Sequence, residues 1–293
     1  MTPLLDARQR AMLAEMGVRV WQPAAGTPAP QTAEPEAPVS VAPQAAPVAP
    51  PPSAKASLAA LKTVVLKPPA APQASHAEEK PIAPLPAGLS AMGWTELQTA
   101  AASCQACQAC HSRSRSVFAD GTPAADQTAT DWLIIGDAPN DLEDASGTPF
   151  SGPEGVLLDA MLHAMGLKRG TSGNAPESVV LVNALKCKPD AQRQPSAFDV
   201  SQCRHFLQRQ IELLQPRMIL ALGRLAAQSV LHDSVSEVEH MPLGKLRGQV
   251  HQAYGRPVVV TYHPAYLLRT PSDKAKAWSD LCLAMGHLRG SSS

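Results

Sequence analysis

The prolines of this chain are not spread evenly along it. Residues 22–87 hold 16 of the 29 prolines and none of the Trp, Tyr or Phe residues. Pro, Ala, Val, Glu, Gln and Ser make up most of the run from Pro23 to Pro52, and a second such run extends from Lys67 to Pro86. A segment of this composition cannot bury enough apolar surface to offset the entropy lost on ordering. Residues 22–88 therefore read as a disordered, partly polyproline-II linker, and random-coil scaling gives it a span of ~45 Å. The folded part must lie on either side of it.

On the N-terminal side, residues 1–21 offer one short helical pattern, Asp6 to Gly17, followed by Val18 to Trp21. A three-turn helix is marginal alone. It is either a docking peptide for a protein partner, carried on the tether, or a frayed terminus. Within the linker, Leu58 to Leu66 is the only apolar island. On the C-terminal side, residues 89–289 carry every aromatic except Trp21, and residues 290–293 read as a disordered tail.

Residues 89–289 alternate two periodicities. Trp132–Gly136, Ser178–Val182, Arg217–Leu222 and Pro257–Thr261 are short apolar runs of strand type. Between and after them come helical patterns at Pro153–Met165, Phe198–Leu214, Arg224–Leu231 and Ser272–Leu288. Four buried-type strands separated by helices predict a three-layer α/β/α fold around a four-stranded, mostly parallel sheet. Ligands of such sheets bind beyond the carboxyl ends of the strands. The loops to examine are thus Gly136–Phe150, Asn183–Cys187 and His263–Arg269.

Charge narrows the possibilities. Lys plus Arg equals 25 and Asp plus Glu equals 25, so no global basic excess draws the chain to a polyanion. Contact with nucleic acid would have to use local patches, and Lys186, Lys188, Arg193, Arg204, Arg247 and Arg269 stand near the candidate loops. No apolar run approaches the roughly 18 residues of a membrane span, and the N-terminal decapeptide lacks the apolar core of a signal peptide. The expectation is a monomeric protein of the cytoplasm, where the six cysteines serve as thiols or metal ligands rather than disulfides.

Cys104 and Cys107 form a CxxC, Cys110 follows three residues on, and Cys187 and Cys203 stand sixteen apart. Four thiolates from the two pairs would suit a zinc ion or a [4Fe–4S] cluster, with thioredoxin-like redox chemistry a weaker third option. Cys282 lies on an apolar helical face and reads as core. Asp137, Asp141, Glu143 and Asp144 crowd the loop after the first strand, where they could position a water or a divalent cation or simply be solvated. Phe150, set among Gly, Pro and Ser, obeys no periodicity and could offer a flat face to a planar ligand. Asn183 could read a base edge or cap a turn. His263 precedes Pro264 at the end of the last strand.

In combination these segments resemble the family 4 uracil-DNA glycosylases, the iron–sulfur branch of the uracil-DNA glycosylase superfamily. The resemblance covers about residues 90–289. It rests on Cys104-x-x-Cys107 with Arg113 and Val117–Gly121, on Gly136–Asn140, and on Gly147-x-Pro-Phe-x-Gly152. Asn183-x-x-x-Cys187, Cys203 and His263-Pro-x-Tyr-Leu-Leu-Arg269 complete it. It implies hydrolysis of the uracil N-glycosidic bond in DNA and a [4Fe–4S] cluster on Cys104, Cys107, Cys187 and Cys203, with Cys110 an extra thiol; no lysine is placed by a motif to form a Schiff base, so lyase activity is not expected. Phe150 would stack on the flipped base and Asn183 would read its edge. His263 would donate to the base carbonyl, and Asp137 or Glu143 would orient the water. Leu267, Leu268 and Arg269 would wedge into the DNA stack. Two departures stand out: Asp137 replaces the usual Glu and Asn140 a Gly. They leave open a second class, an iron–sulfur DNA-binding module without this catalysis, recruiting a partner through its N-terminus.

Overall fold

The computed structural model describes residues 83–122, 130–169 and 179–290. The expected N-terminal helix and nearly all of the linker lie outside the described residues. Helix α1 (Trp94–Ser103) comes first, packing Leu97 and Ala101 against Phe118 and Phe206. Then follow β1 (Trp132–Gly136), α2 (Asp141–Ser146), α3 (Pro153–Met165), β2 (Val179–Asn183), α4 (Ala197–Leu214), β3 (Met218–Leu222) and α5 (Arg224–Leu231). The chain continues through α6 (Leu243–Leu246), β4 (Val250–Ala253), β5 (Arg256–Thr261), α7 (Pro264–Arg269) and α8 (Lys274–Gly290).

The strands form one sheet of order β2-β1-β3-β5-β4, parallel except for β4, which pairs antiparallel with β5. The α/β/α expectation holds, with one strand more than expected. Of its residues, Val250 to Gln252 are partly or fully exposed and only Ala253 is buried, and His251 and Gln252 interrupt the apolar run that marks the other four. A Tyr254-Gly255 link joins β4 to β5, and both residues have positive φ, 53° and 69°. Two left-handed residues in a two-residue loop make the turn whose twist matches a hairpin.

Side chains alternate across the sheet as the pleat requires. Ile134, Leu181, Leu220 and Val259 face Leu158, Leu162, Trp278 and Leu281 of α3 and α8. Leu133, Ile135, Val180, Ile219 and Val258 face Leu207, Ile211, Ala227 and Val230 of α4 and α5. The β2 edge is not bare, because Asp120 and Leu181 exchange backbone hydrogen bonds of 2.9 Å in each direction. The chain leaves β1 toward β2 on one side and returns to β3 on the other. The carboxyl ends of β1 and β3 therefore border a topological switch point, the position at which such sheets form a crevice.

Candidate active site and thiol cavity

A cleft of about 860 Å³ opens at that switch point, with Asp137, Asn140, Glu143, Arg204, His263 and Arg269 in its wall. Gly136 ends β1 and brings the pieces together. A Cβ there would lie 2.4 Å from Asn183 Oδ1 and 2.6 Å from Phe150 Cζ, so only glycine allows both side chains to close over the strand end.

Asp137 comes next in the chain, and its side chain turns toward β3. Its Oδ1 accepts from the Ala226 N–H at 2.8 Å, in the first turn of α5. Gly223 leaves room for it, since a Cβ at that glycine would be 2.3 Å from Asp137 Oδ2. Burial pushes the carboxyl up to about 6, against the backbone donors of Ala226 and Leu225, which favour the charge. Near neutral pH the group is mostly ionised, desolvated and basic for an aspartate.

Asn140, the second departure, has a local explanation. Its side chain caps α2, accepting from Leu142 N at 2.9 Å and Glu143 N at 3.0 Å. Glu143 answers as the other half of a capping box, its Oε2 accepting from Asn140 N at 2.8 Å. Its Oε1 accepts from the Phe150 N–H and from Asn183 Nδ2, the latter at 3.1 Å. One buried carboxylate thus ties the α2 entrance, the Phe150 backbone and the Asn183 amide together, and desolvation raises its pKa. Asp144 is also buried and accepts from Ser114 N at 2.9 Å. The reading of this loop as solvated fails for Glu143 and Asp144, which are buried, while Asp137 is half-buried at the cleft wall; Asp141 is exposed and pairs with Lys188 at 2.7 Å.

Phe150 holds φ of 54°, unusual for a non-glycine residue, and its ring is 2 % exposed. Its carbonyl faces Arg169, whose Nη1 donates at 3.4 Å while Nη2 donates to Gly155 O at 3.1 Å and Nε to Asp159 at 2.6 Å. Sequence reasoning missed Arg169, because nothing in its neighbourhood marks it as part of the site. The Phe150 and His263 rings lie 5.7 Å apart between centroids and 21° from parallel. His263 Nδ1 accepts from Ala265 N at 3.2 Å, capping α7. That contact requires Nδ1 to be unprotonated, so the neutral ring carries its proton on Nε2. Desolvation, with the Arg269 charge second, lowers the His263 pKa to about 4 and keeps the ring neutral.

Helix α7 separates residues that the sequence had grouped. Leu267 is wholly buried, packed in the same core cluster as α3 and α8, and cannot enter a DNA stack. Leu268 is 42 % exposed, and Arg269 is exposed at the cleft wall. A helix presents neighbouring residues about 100° apart, which the sequence treated as one wedge. The cationic set divides similarly. Lys186 is buried, Arg193 pairs with Asp199 at 2.5 Å, and Arg247 pairs with Asp280 at 2.6 Å while covering Tyr262. Arg204 and Arg269 remain in the cleft wall without an ion pair among the described residues.

The thiols gather around Lys186, whose Nζ donates to the Asn183 carbonyl. Cys104, Cys107, Cys110, Cys187 and Cys203 line one small cavity with Lys186, Ala101, Gln202 and Phe206. Cys104 and Cys107 follow α1, Cys187 follows β2, and Cys203 lies on α4. Among the described residues, no group of three or more His, Cys, Asp and Glu has the geometry to hold a single metal ion. The donor chemistry nevertheless suits a soft metal centre, since the lining offers sulfur and neither carboxylate nor imidazole. Burial, opposed by the Arg113 charge and hydrogen bond, leaves the Cys187 thiol raised to about 11, so ionising this set calls on a metal centre as well as on nearby cations. Two are present. Arg113 Nη1 donates to Cys187 Sγ at 2.8 Å, and burial lowers the Lys186 pKa to about 7, opposed by the Cys203 and Cys187 charges, which favour its ammonium. Four thiolates around a dipositive core would leave two negative charges in surplus, matching those two cations.

A family model described as the uracil DNA glycosylase superfamily matches residues 123–282. The chain belongs to this superfamily. It is 33 % identical over 162 residues to the type-4 uracil-DNA glycosylase of Archaeoglobus fulgidus, covering 54 % of this chain and 77 % of that protein. The type-4 enzyme of Pyrobaculum aerophilum is 34 % identical over 160 residues, 53 % of this chain and 76 % of its own. That of Thermotoga maritima is 32 % identical over 174 residues, 59 % and 82 % respectively. The type-4 branch of the superfamily is thus where this chain belongs. Among the described residues, no helix is long and apolar enough to cross a membrane.

Proposed function

We propose that this chain is a monofunctional uracil-DNA glycosylase, hydrolysing the N-glycosidic bond of uracil in DNA to leave an abasic site. The observation that carries the proposal is His263, held neutral beside Phe150 with its Nε2 proton unpaired among the described residues, near the strand ends that carry Asp137 and Asn183. The base, flipped out of the helix, would reach the floor of the cleft with Phe150 against its face and Asn183 at its edge. As the glycosidic bond breaks, negative charge builds on the uracil ring and positive charge on the sugar. A neutral imidazole donating from Nε2 stabilises the first; donors of this kind contribute ~10²–10³ in rate. The Asp137 carboxylate, ionised and desolvated, would stabilise the second and orient the attacking water.

Glu143 has a different part. With both oxygens engaged by Asn140, Phe150 and Asn183, it positions the base-binding groups rather than activating water. Leu268 and Arg269, not Leu267, would meet the DNA at the vacated site, and Arg204, also in the cleft wall, would approach phosphate. Cys104, Cys107, Cys187 and Cys203 would hold a [4Fe–4S] cluster, whose contribution when bound is structural, fixing α1, the end of β2 and α4 to one another. The test is incubation of the full chain with a uracil-containing oligonucleotide, followed by alkaline cleavage of abasic sites. Strand scission at the uracil position is expected. Its absence on both single- and double-stranded uracil DNA would remove the enzymatic reading. Iron and labile sulfide analysis after anaerobic purification tests the cluster, and zinc in their place would overturn it.

A further inference from the structure

The side chain of Lys186 is the largest among those wholly buried in the described residues, and no step above uses it. Its Nζ donates to the Asn183 carbonyl at 2.6 Å. The same residue lines the thiol cavity beside Cys187 and Cys203. Among the described residues no carboxylate pairs with it. A buried ammonium without an opposite charge costs several kcal/mol, more than one carbonyl offsets. Among the described residues, the thiols of Cys187 and Cys203 are the groups in position to provide that charge.

Resting on the iron–sulfur reading, we propose that Lys186 is a positioning residue joining the cluster to base recognition: its ammonium neutralises the cluster thiolates while its hydrogen bond holds the Asn183 carbonyl at the end of β2. Asn183 is thereby fixed at two points, its amide by Glu143 and its backbone by Lys186. Loss of the cluster would remove the counter-charge that keeps the ammonium buried. The base-reading residue would then lose its backbone anchor although it touches no sulfur. A cluster with no chemical step would still govern catalysis through this one side chain.

The test compares Lys186→Met, which keeps the stem and removes the charge, with Lys186→Arg, which keeps a charge. Each full-length holoprotein is assayed for iron per chain, for cluster midpoint potential by dye-mediated titration, and for single-turnover uracil release under saturating enzyme. In Lys186→Met the potential should become more negative, because a cation favours the reduced cluster. Uracil release should slow roughly tenfold, about one positioning hydrogen bond's worth. Lys186→Arg should lie closer to the wild type in both. If Lys186→Met fails to load iron while Lys186→Arg loads it, the neutralising role is supported directly. Wild-type rate and potential in Lys186→Met, or failure of both variants to load iron, would overturn the proposal. Inactivity of the wild-type chain on uracil DNA, or zinc in it, would instead strike at the readings beneath.

Discussion

Asp137→Asn should make the protein more stable and less active at the same time, and pH should separate the two effects. Burial holds the Asp137 carboxyl at about 6 in the folded protein, against 3.8 for an ordinary aspartate. A raised folded pKa means that the folded state favours the protonated form. Its stabilising contribution is complete below the unfolded pKa and is lost as pH rises through about 6. At 1.36 kcal/mol per pKa unit, the two-unit difference amounts to about 3 kcal/mol, of which ~2 kcal/mol falls between pH 4.5 and pH 8. Asparagine does not titrate, and its Oδ1 can still accept from the Ala226 N–H, so the cap on α5 survives. The variant should therefore gain about 2 kcal/mol relative to wild type over that interval. Urea unfolding of the holoproteins, followed by tryptophan fluorescence at pH 4.5, 6 and 8, measures the gain. Single-turnover uracil release supplies the other half. In the wild type it should rise with an apparent pKa near 6 as Asp137 ionises, and in Asp137→Asn that dependence should vanish with most of the rate. A stability difference independent of pH would show that Asp137 is not desolvated as the structure places it, and the catalytic assignment would fall with it.

Three further outcomes follow from the same geometry. Glu143→Gln retains one acceptor oxygen and sets an NH2 group against an N–H; it should lose about 2–4 kcal/mol in urea unfolding and slow uracil release, with weaker selection against cytosine. A wild-type U:C rate ratio in that variant would exclude the positioning role. Leu267→Ala should cost ~2–5 kcal/mol of stability as a core cavity, whereas Leu268→Ala should unfold like the wild type and act more slowly on duplex than on single-stranded uracil DNA. The reverse pattern would contradict the burial assigned to these neighbours. His263→Gln should reduce single-turnover release by ~10²–10³, and the wild-type ring should stay neutral to near pH 4 in NMR titration, with Arg269→Ala raising its pKa. A wild-type imidazole titrating at its ordinary value would refute the tautomer argument.

Much of the fold was legible because strand and helix periodicities are strong where both faces of a sheet are covered. The four parallel strands and the helices α3, α4, α5 and α8 are of this kind, and their ends match within a few residues. Strand β4 was not legible, since an edge strand with His251 and Gln252 carries no apolar run; the Tyr254-Gly255 turn was its only signal. The short helices α2 and α7 were read as loops. Their evidence was in the caps, Asn140 with Glu143 and His263 with Pro264, where residues singled out for chemistry also terminate helices.

The sequence by itself determined which chemical groups this protein can bring to bear: the cysteine spacing, the glycine at Gly136, and the Phe150, Asn183 and His263 triplet on loops that a parallel sheet gathers at one end. Those are properties of order and spacing along the chain. Only the tertiary structure decided what state each group is in. Desolvation makes Asp137 a stronger base, the Ala265 N–H fixes the His263 tautomer, and three donors convert Glu143 from a candidate base into a strut. The turn of α7 sends Leu267 inward and Leu268 outward, and burial joins Lys186 to both the thiols and Asn183. Protonation, exposure and pairing depend on neighbours distant in sequence, so periodicity and motif spacing carry no record of them.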